Sequence, residues 1–311
     1  MPANRVLVLA GPTGVGKTDI SIPLALALRG EIISADARQI FRDLEIGTAK
    51  PTREMRAQVV HHFVDELDLT ARWTAGDFAR AARQRIEEIF ARDHLPIVVG
   101  GSGFYIGALL DGFFEADDEG VDYGPLRERL RTEGTDNLYD ELRQVDPAVA
   151  ARIMPQDAHR ILRALEIFQR TGTPLSEWQK RRTEPLPYLV AFYCLRMERK
   201  VLYERVNRRV LQMLDEGLVN EVRALFEKGY DEKTNALRTH GYQEVFPYLR
   251  GEYGHDEMVA RIQKAVRHYV KRQFVWFRRD PRVIWIDRSP DESPDVAARK
   301  ILNHFQKETL S

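Results

Sequence analysis

The sequence predicts an α/β fold: a parallel sheet flanked by helices, built around a phosphate-binding P-loop and carrying an all-helical insertion. Three observations lead there. The apolar run Val6-Leu7-Val8-Leu9-Ala10 delivers the chain into Gly11-Pro12-Thr13-Gly14-Val15-Gly16-Lys17-Thr18, and Ile20, Ile22, Leu24, Leu26 and Leu28 carry an apolar helix onward. Buried-strand and helix patterns then alternate, which is the order that yields parallel strands. From 113 to 187 helical periodicity takes over, so the expected division is a core of 1–112 and 188–311 and an insertion of 113–187.

The opening stretch has a direct chemical meaning. Glycines let successive backbone N–H groups turn inward around a phosphate, and the helix start adds partial positive charge. Gly11, Thr13, Gly14, Val15, Gly16, Lys17 and Thr18 are the candidate phosphate-binding set, with Lys17 reaching the outer phosphate. The Thr18 hydroxyl suits Mg²⁺, held directly or through water. On motif alone the loop would be assigned to ATP or another nucleotide.

A second strand, Glu31 to Ser34, ends at Ala35-Asp36-Ala37-Arg38-Gln39, so Asp36 stands at a strand's carboxyl end. Pro23, inside the first helix, is expected to kink it. After the loop Glu45 to Pro51 comes a short strand around His62 to Val64. Thr74 and Asp77 have the spacing of a helix cap, and Phe78, Ala81, Ala82, Ile86, Ile89 and Phe90 form the stripe beyond it. Leu95 to Val99 is a buried strand running into the glycine turn Gly100 to Tyr105. In the insertion, helical segments fall at Leu126–Leu130, Leu138–Val145, Ala148–Ile153 and Ile161–Phe168, punctuated by prolines. The sheet resumes with Leu189–Met197. Helices follow at Lys200–Asp215 and Val219–Lys228, then a turn at Asn235–Gly241 and an amphipathic helix over Glu257–Phe277. Strand Val283–Asp287 and a helix to about Gln306 close the chain.

Composition limits the function. With 43% hydrophobic and 30% charged residues the chain reads as globular and soluble. No apolar run approaches the roughly 20 residues of a membrane span, and the N-terminus enters the fold at once, which leaves no room for a targeting segment and implies a cytoplasmic protein. The lone Cys194 sits in Ala191–Leu195 as a buried strand residue, not as a catalytic thiol. Net charge is zero, but it is segregated. Residues 111–146 hold twelve acidic against four basic side chains, 151–209 thirteen basic against six acidic, and 256–282 eight basic against three acidic. Such blocks suit a phosphate backbone, or solvated helix faces.

A P-loop commits the protein only to phosphate. The strand ending in Gly100-Gly101 offers no carboxylate of the kind that organises water in ATPases. Asp36 is the candidate general base toward an acceptor hydroxyl or amine; a turn-capping aspartate or an outer-sphere magnesium ligand is the structural alternative.

Beyond these residues, the blocks resemble the bacterial tRNA dimethylallyltransferases, the isopentenyl-tRNA transferase family. Gly11-Pro12-Thr13-x-x-Gly16-Lys17-Thr18, Ile33-Ser34-Ala35-Asp36 with Gln39 and Phe41, Ile46–Pro51, Asp77-Phe78 and Val99–Tyr105 are similar to its motifs. So are Asp157, Arg160 and Arg163–Glu166, Gly241-Tyr242 and Lys271-Arg272-Gln273. The resemblance implies transfer of a dimethylallyl group from dimethylallyl diphosphate to N6 of adenosine 37 in tRNAs reading codons that begin with U. The P-loop then holds a leaving diphosphate, with Lys17, Thr18 and Mg²⁺ stabilising its charge, Arg238 nearby, and Asp36 accepting the amine proton. Asp36, Ala37, Arg38, Gln39 and Ser102 would meet the flipped adenine and its neighbours, and Arg160 and Arg163 the anticodon stem-loop. Ala37, Arg38, Phe41, Ser102 and His240 depart from the residues the family usually has; His240 is expected to be packed or partly exposed, not catalytic.

Rival readings are an adenylate isopentenyltransferase using AMP, a small-molecule P-loop kinase, and a tRNA-binding module with a vestigial P-loop. The basic insertion and the long basic helix separate the first from tRNA prenylation. Intact Lys17, Thr18 and Asp36 argue against the last. The expected protein acts as a monomer without a membrane.

Overall fold

The computed structural model describes residues 4–114 and 124–310. The chain runs β1 (Arg5–Ala10), α1 (Lys17–Leu28), β2 (Gly30–Ala35), α2 (Arg53–Gln58), β3 (His61–His62), α3 (Ala75–Phe90), β4 (Leu95–Gly100) and α4 (Gly103–Asp111). It continues through α5 (Gly124–Val145), α6 (Pro147–Ala150), α7 (Ala158–Thr171) and α8 (Leu175–Trp178). It then passes to β5 (Leu189–Arg196), α9 (Arg199–Asp215), α10 (Leu218–Glu227), α11 (Val245–Leu249), α12 (His255–Phe277), β6 (Ile284–Asp287) and α13 (Pro294–Leu310). It divides into two compact units, one up to Gly107 and from Pro187 onward, the other Ala108–Leu186.

The first unit is organised by one sheet whose strands all pair in parallel, in the order β3-β2-β4-β1-β5-β6. Val6 to Ala10 have no exposure at all. A strand covered on both faces must be apolar at successive positions, which is why β1 reads as an unbroken run. Cys194 is likewise buried in β5, and burial pushes its thiol up to about 12.

Helix starts follow local chemistry. At α3 the Thr74 hydroxyl accepts the Asp77 N–H at 3.2 Å while Asp77 accepts the Thr74 N–H at 2.9 Å, a reciprocal cap that satisfies two helix-end donors. Phe78, Ala82, Ile86 and Ile89 then turn inward. Pro23 does not interrupt α1, which runs on to Leu28 and ends with Arg29 at φ 49°. Other details of the chain also differ from the sequence pattern. The short third strand lies at His61–His62, because Phe63 adopts φ 64° and leaves the extended region. The glycine turn after β4 opens directly into α4, and α11 had no clear signal in its five residues.

The second unit has its own core, in which Leu138 and Leu142 of α5 pack with Ile161 and Leu165 of α7. Gly134, at φ 83°, divides α5 into the two segments the periodicity indicates. Buried Asp146 accepts the N–H of Val149 at 3.0 Å and of Ser176 at 2.8 Å, tying α6 to α8. Residues 115–123 of the expected acidic stretch lie outside the described residues. No helix among those described is long and apolar enough to cross a membrane.

Candidate active site

Parallel pairing brings three loops side by side. Ala10 of β1 is in register with Gly100 of β4, and Gly100 with Ala35 of β2. Gly11, Gly101 and Asp36 therefore emerge at one level from adjacent strand ends, where open α/β sheets bind ligands. A cavity of about 580 Å³ opens there, closed on its other sides by α9, α12 and the loop at 238–241. That is within the range of small-molecule sites.

The P-loop keeps the shape its glycines allow. Gly16 has φ 91°, and a Cβ there would lie 1.8 Å from the Arg288 guanidinium, so only glycine fits. Buried Arg288 braces the loop from behind by donating to the Val15 carbonyl. Helix α1 begins at Lys17 with no side-chain cap, so its first N–H groups have no helical acceptor and its positive end is available to an anion. Lys17 Nζ donates to the carbonyls of Gly11 at 2.9 Å and Pro12 at 3.0 Å. Burial lowers its pKa from 10.5 to about 8, with Asp36 working in the opposite direction. The Thr13 N–H is already given to Gln273 Oε1 at 2.9 Å, so the open part of the cradle begins after it.

Asp36 fills the turn-capping role with one oxygen. Its Oδ1 accepts the N–H groups of Arg38 at 2.9 Å and Gln39 at 3.3 Å. Oδ2 makes no hydrogen bond among the described residues. The neighbouring side chains are more occupied than their motif suggested. The Arg38 guanidinium lines the cavity but donates to the carbonyls of Asn235 at 2.7 Å and Arg238 at 3.2 Å. Gln39 does not line it: its oxygen accepts from Ser34 Oγ at 3.0 Å and its amide donates to Thr48 O at 3.2 Å and Ala49 O at 3.3 Å.

Thr13, Lys17, Asp36, Ala37, Arg38, Ser102 and Arg238 thus share the cavity, whereas Gly11, Gly14, Val15, Gly16, Thr18 and Gln39 shape it without lining it. Arg160 and Arg163 belong to the second unit. Arg160 is 62% exposed and lies 3.3 Å from Asp157, which also caps α7; Arg163 lies 4.0 Å from Glu166.

Four further residues matter here. Arg209 on α9 lines the cavity with no hydrogen bond to described residues, and burial lowers its pKa. His240 packs its ring 4.7 Å from Tyr269 and also faces the cavity; burial lowers it to about 4, leaving it neutral at pH 7. Glu221 on α10 accepts the N–H groups of Glu45 at 3.1 Å and Ile46 at 2.9 Å, and the Tyr242 hydroxyl at 2.5 Å. It anchors the loop whose next residues, Gly47 to Ala49, line the cavity. Buried Gln273 is the fourth, and its signal was present in the sequence: it is a polar residue on the apolar stripe of Ile262, Val266, Val270 and Phe277.

Lys17, Arg209 and Arg238 give the cavity cationic side chains suited to a polyphosphate, and Asp36 gives it a proton acceptor. No group of three or more His, Cys, Asp or Glu among the described residues could hold a metal ion. The Thr18 hydroxyl makes no hydrogen bond among them, which fits Mg²⁺, an ion that takes few protein ligands beside phosphate oxygens and water.

Comparison with known proteins gives the chain its family. Residues 39–280 match the family model described as IPP transferase. A tRNA dimethylallyltransferase 1 of Trichlorobacter lovleyi is 45% identical over 91% of this chain and 93% of its own. A tRNA dimethylallyltransferase of Natranaerobius thermophilus is 37% identical over 100% of this chain and 94% of its own. The crystal structure of a tRNA isopentenylpyrophosphate transferase from Bacillus halodurans superposes with a TM-score of 0.70 at 35% identity, covering 99% of this chain and 97% of that one. A eukaryotic dimethylallyltransferase captured acting on tRNA gives a TM-score of 0.82 at 27% identity over 98% of this chain and 80% of its own. Matched along most of its length by the family model and by these relatives, the chain belongs to the IPP transferase family.

Proposed function

We propose that the chain transfers a dimethylallyl group from dimethylallyl diphosphate to N6 of adenosine 37 in tRNAs that read codons beginning with U. The observation that carries this is that Lys17 and Asp36 line the same cavity, so phosphate-binding charge and a proton acceptor surround one space. The names of the relatives supply the substrate class.

In the transfer, the N6 lone pair attacks the allylic carbon, the bond from that carbon to the diphosphate oxygen breaks with its electrons, and the N6 proton passes to Asp36 Oδ2. Lys17, Arg209, Arg238 and the first N–H groups of α1 hold the diphosphate as charge collects on it. Thr18 would hold Mg²⁺, directly or through water, and the ion would supply neutralisation of part of that charge. The adenine must leave its stack to enter. Ala37 and Ser102 wall its pocket, while Arg38 and Gln39 act by holding the segments at 235–238 and 48–49. Arg160 and Arg163 bind the anticodon stem-loop through its phosphates.

The test incubates the protein with dimethylallyl diphosphate, Mg²⁺ and either unmodified tRNA or AMP, and looks for prenylated adenosine by mass after digestion. Product from tRNA and not from AMP is expected. Product from AMP alone would assign a free-nucleotide acceptor instead.

A further inference from the structure

We infer that Gln273 is a positioning residue that latches the loop holding the donor to the turn walling the acceptor, an inference that rests on the transfer proposed above. Gln273 is 5% exposed. Its Oε1 accepts the Thr13 N–H at 2.9 Å, and its Nε2 donates to the Gly101 carbonyl at 2.9 Å. Thr13 lies in the loop after β1 that leads into Lys17 at the start of α1; Gly101 follows β4 and precedes Ser102. The two strands are paired as far as Ala10 and Gly100. Beyond that point no backbone hydrogen bond joins residues 11–18 to 101–103 among the described residues. One amide, reaching in from α12, takes over where the ladder stops.

Two details make this a built contact. A primary amide within an apolar helix stripe is costly unless fully bonded, and both of these bonds go to the loops and neither to α12 itself. Gly101 has no side chain to obstruct it: a Cβ there would lie 2.2 Å from Nε2. The amide thereby sets the spacing between the diphosphate cradle and the wall beside the adenine. In a displacement, misplacing one reactant by about 1 Å costs on the order of 10²-fold in rate. Gln273 touches neither reacting atom, so its loss should appear mainly in kcat and much less in donor binding.

The experiment uses the full-length chain, wild type and two variants. Gln273→Met keeps length and apolar fit while removing both bonds; Gln273→Glu keeps the acceptor for Thr13 but, when ionised, repels the Gly101 carbonyl. The expected result for Gln273→Met is a kcat about 10²-fold lower, inorganic diphosphate still bound, and faster hydrogen exchange at the Thr13 amide with β1 still protected. Gln273→Glu should fall below wild type at pH 8 and recover relative to it toward pH 6, as a buried glutamic acid takes up the proton that lets it donate again. Wild-type kcat in Gln273→Met with unchanged Thr13 exchange would overturn the latch. If that variant does not fold, a ratio of Gln273→Glu to wild type that is flat with pH overturns it. Absence of prenyl transfer by the wild-type protein would instead refute the proposed reaction, and Thr13 exchange would still decide the contact.

Discussion

Replacing Lys17 by methionine should make the free protein more stable and the donor site weaker. Burial lowers the pKa of Lys17 from 10.5 to about 8, and each unit corresponds to about 1.4 kcal/mol. Keeping the side chain charged in the fold therefore costs roughly 3 kcal/mol at neutral pH. The variant is relieved of that cost but gives up hydrogen bonds to the Gly11 and Pro12 carbonyls, worth about 1 kcal/mol each. It should be about 1 kcal/mol more stable at pH 7. The pH dependence has a definite sign. Between 8 and 10.5 the unfolded chain binds a proton at Lys17 that the folded chain does not, so wild-type stability rises across this window. The cost is fully present below about pH 8. Donor binding runs the other way, because the diphosphate interacts with the ammonium form: affinity is level below about pH 8 and weakens above it. Without a charge-assisted bond of about 1.5–3 kcal/mol, donor affinity in the variant falls about 10- to 100-fold. Urea unfolding at about pH 7 and about pH 10, on either side of the folded pKa, with donor titration under the same conditions, measures both. A variant less stable than wild type at neutral pH, or a wild-type donor affinity that stays constant across the whole range, would rule out a buried, charged Lys17 at the donor site.

Asp36→Asn should lower kcat by about 10²-fold or more with little change in tRNA affinity, read from single-turnover rates at saturating donor; wild-type turnover removes the base assignment. Replacing Arg160 and Arg163 together by alanine should weaken tRNA binding and flatten the slope of log affinity against log salt by up to about 1 for each phosphate no longer neutralised; an unchanged slope places the stem-loop elsewhere. Glu221→Ala strips the acceptor from the N–H groups of Glu45 and Ile46. It should cost about 1–3 kcal/mol in stability and raise KM for tRNA through the wall at Gly47–Ala49, and equal KM values would confine Glu221 to stability.

Elements with a local cause were legible in the sequence. The strand into the P-loop, the Thr74–Asp77 cap and the break in α5 at Gly134 are each written in adjacent residues, and the structure has all of them. Asp36 could be placed at a strand end because the strand pattern precedes it. What adjacent residues do not encode is what occupies a side chain. Arg38 looked like a group facing substrate, but its guanidinium holds two carbonyls about two hundred positions away. Gln39 is likewise committed to Ser34 and the 48–49 backbone. Arg209 and Glu221 carry no motif, since each acquires its role from loops brought near by the sheet. Gln273 was the exception that could have been found. A polar residue on the buried face of α12 sets periodicity against polarity, and the conflict resolves only when Thr13 and Gly101 are seen beside it.

On the proposed reaction, the P-loop of this chain holds a leaving diphosphate whose alkyl group goes to one adenine. The direct measurement is diphosphate release from dimethylallyl diphosphate in the presence of an anticodon stem-loop carrying adenosine or guanosine at position 37. One diphosphate should be released for each prenylated adenosine, and none with guanosine. Equal release with both stem-loops, or turnover of ATP without prenyl transfer, would rule this chemistry out.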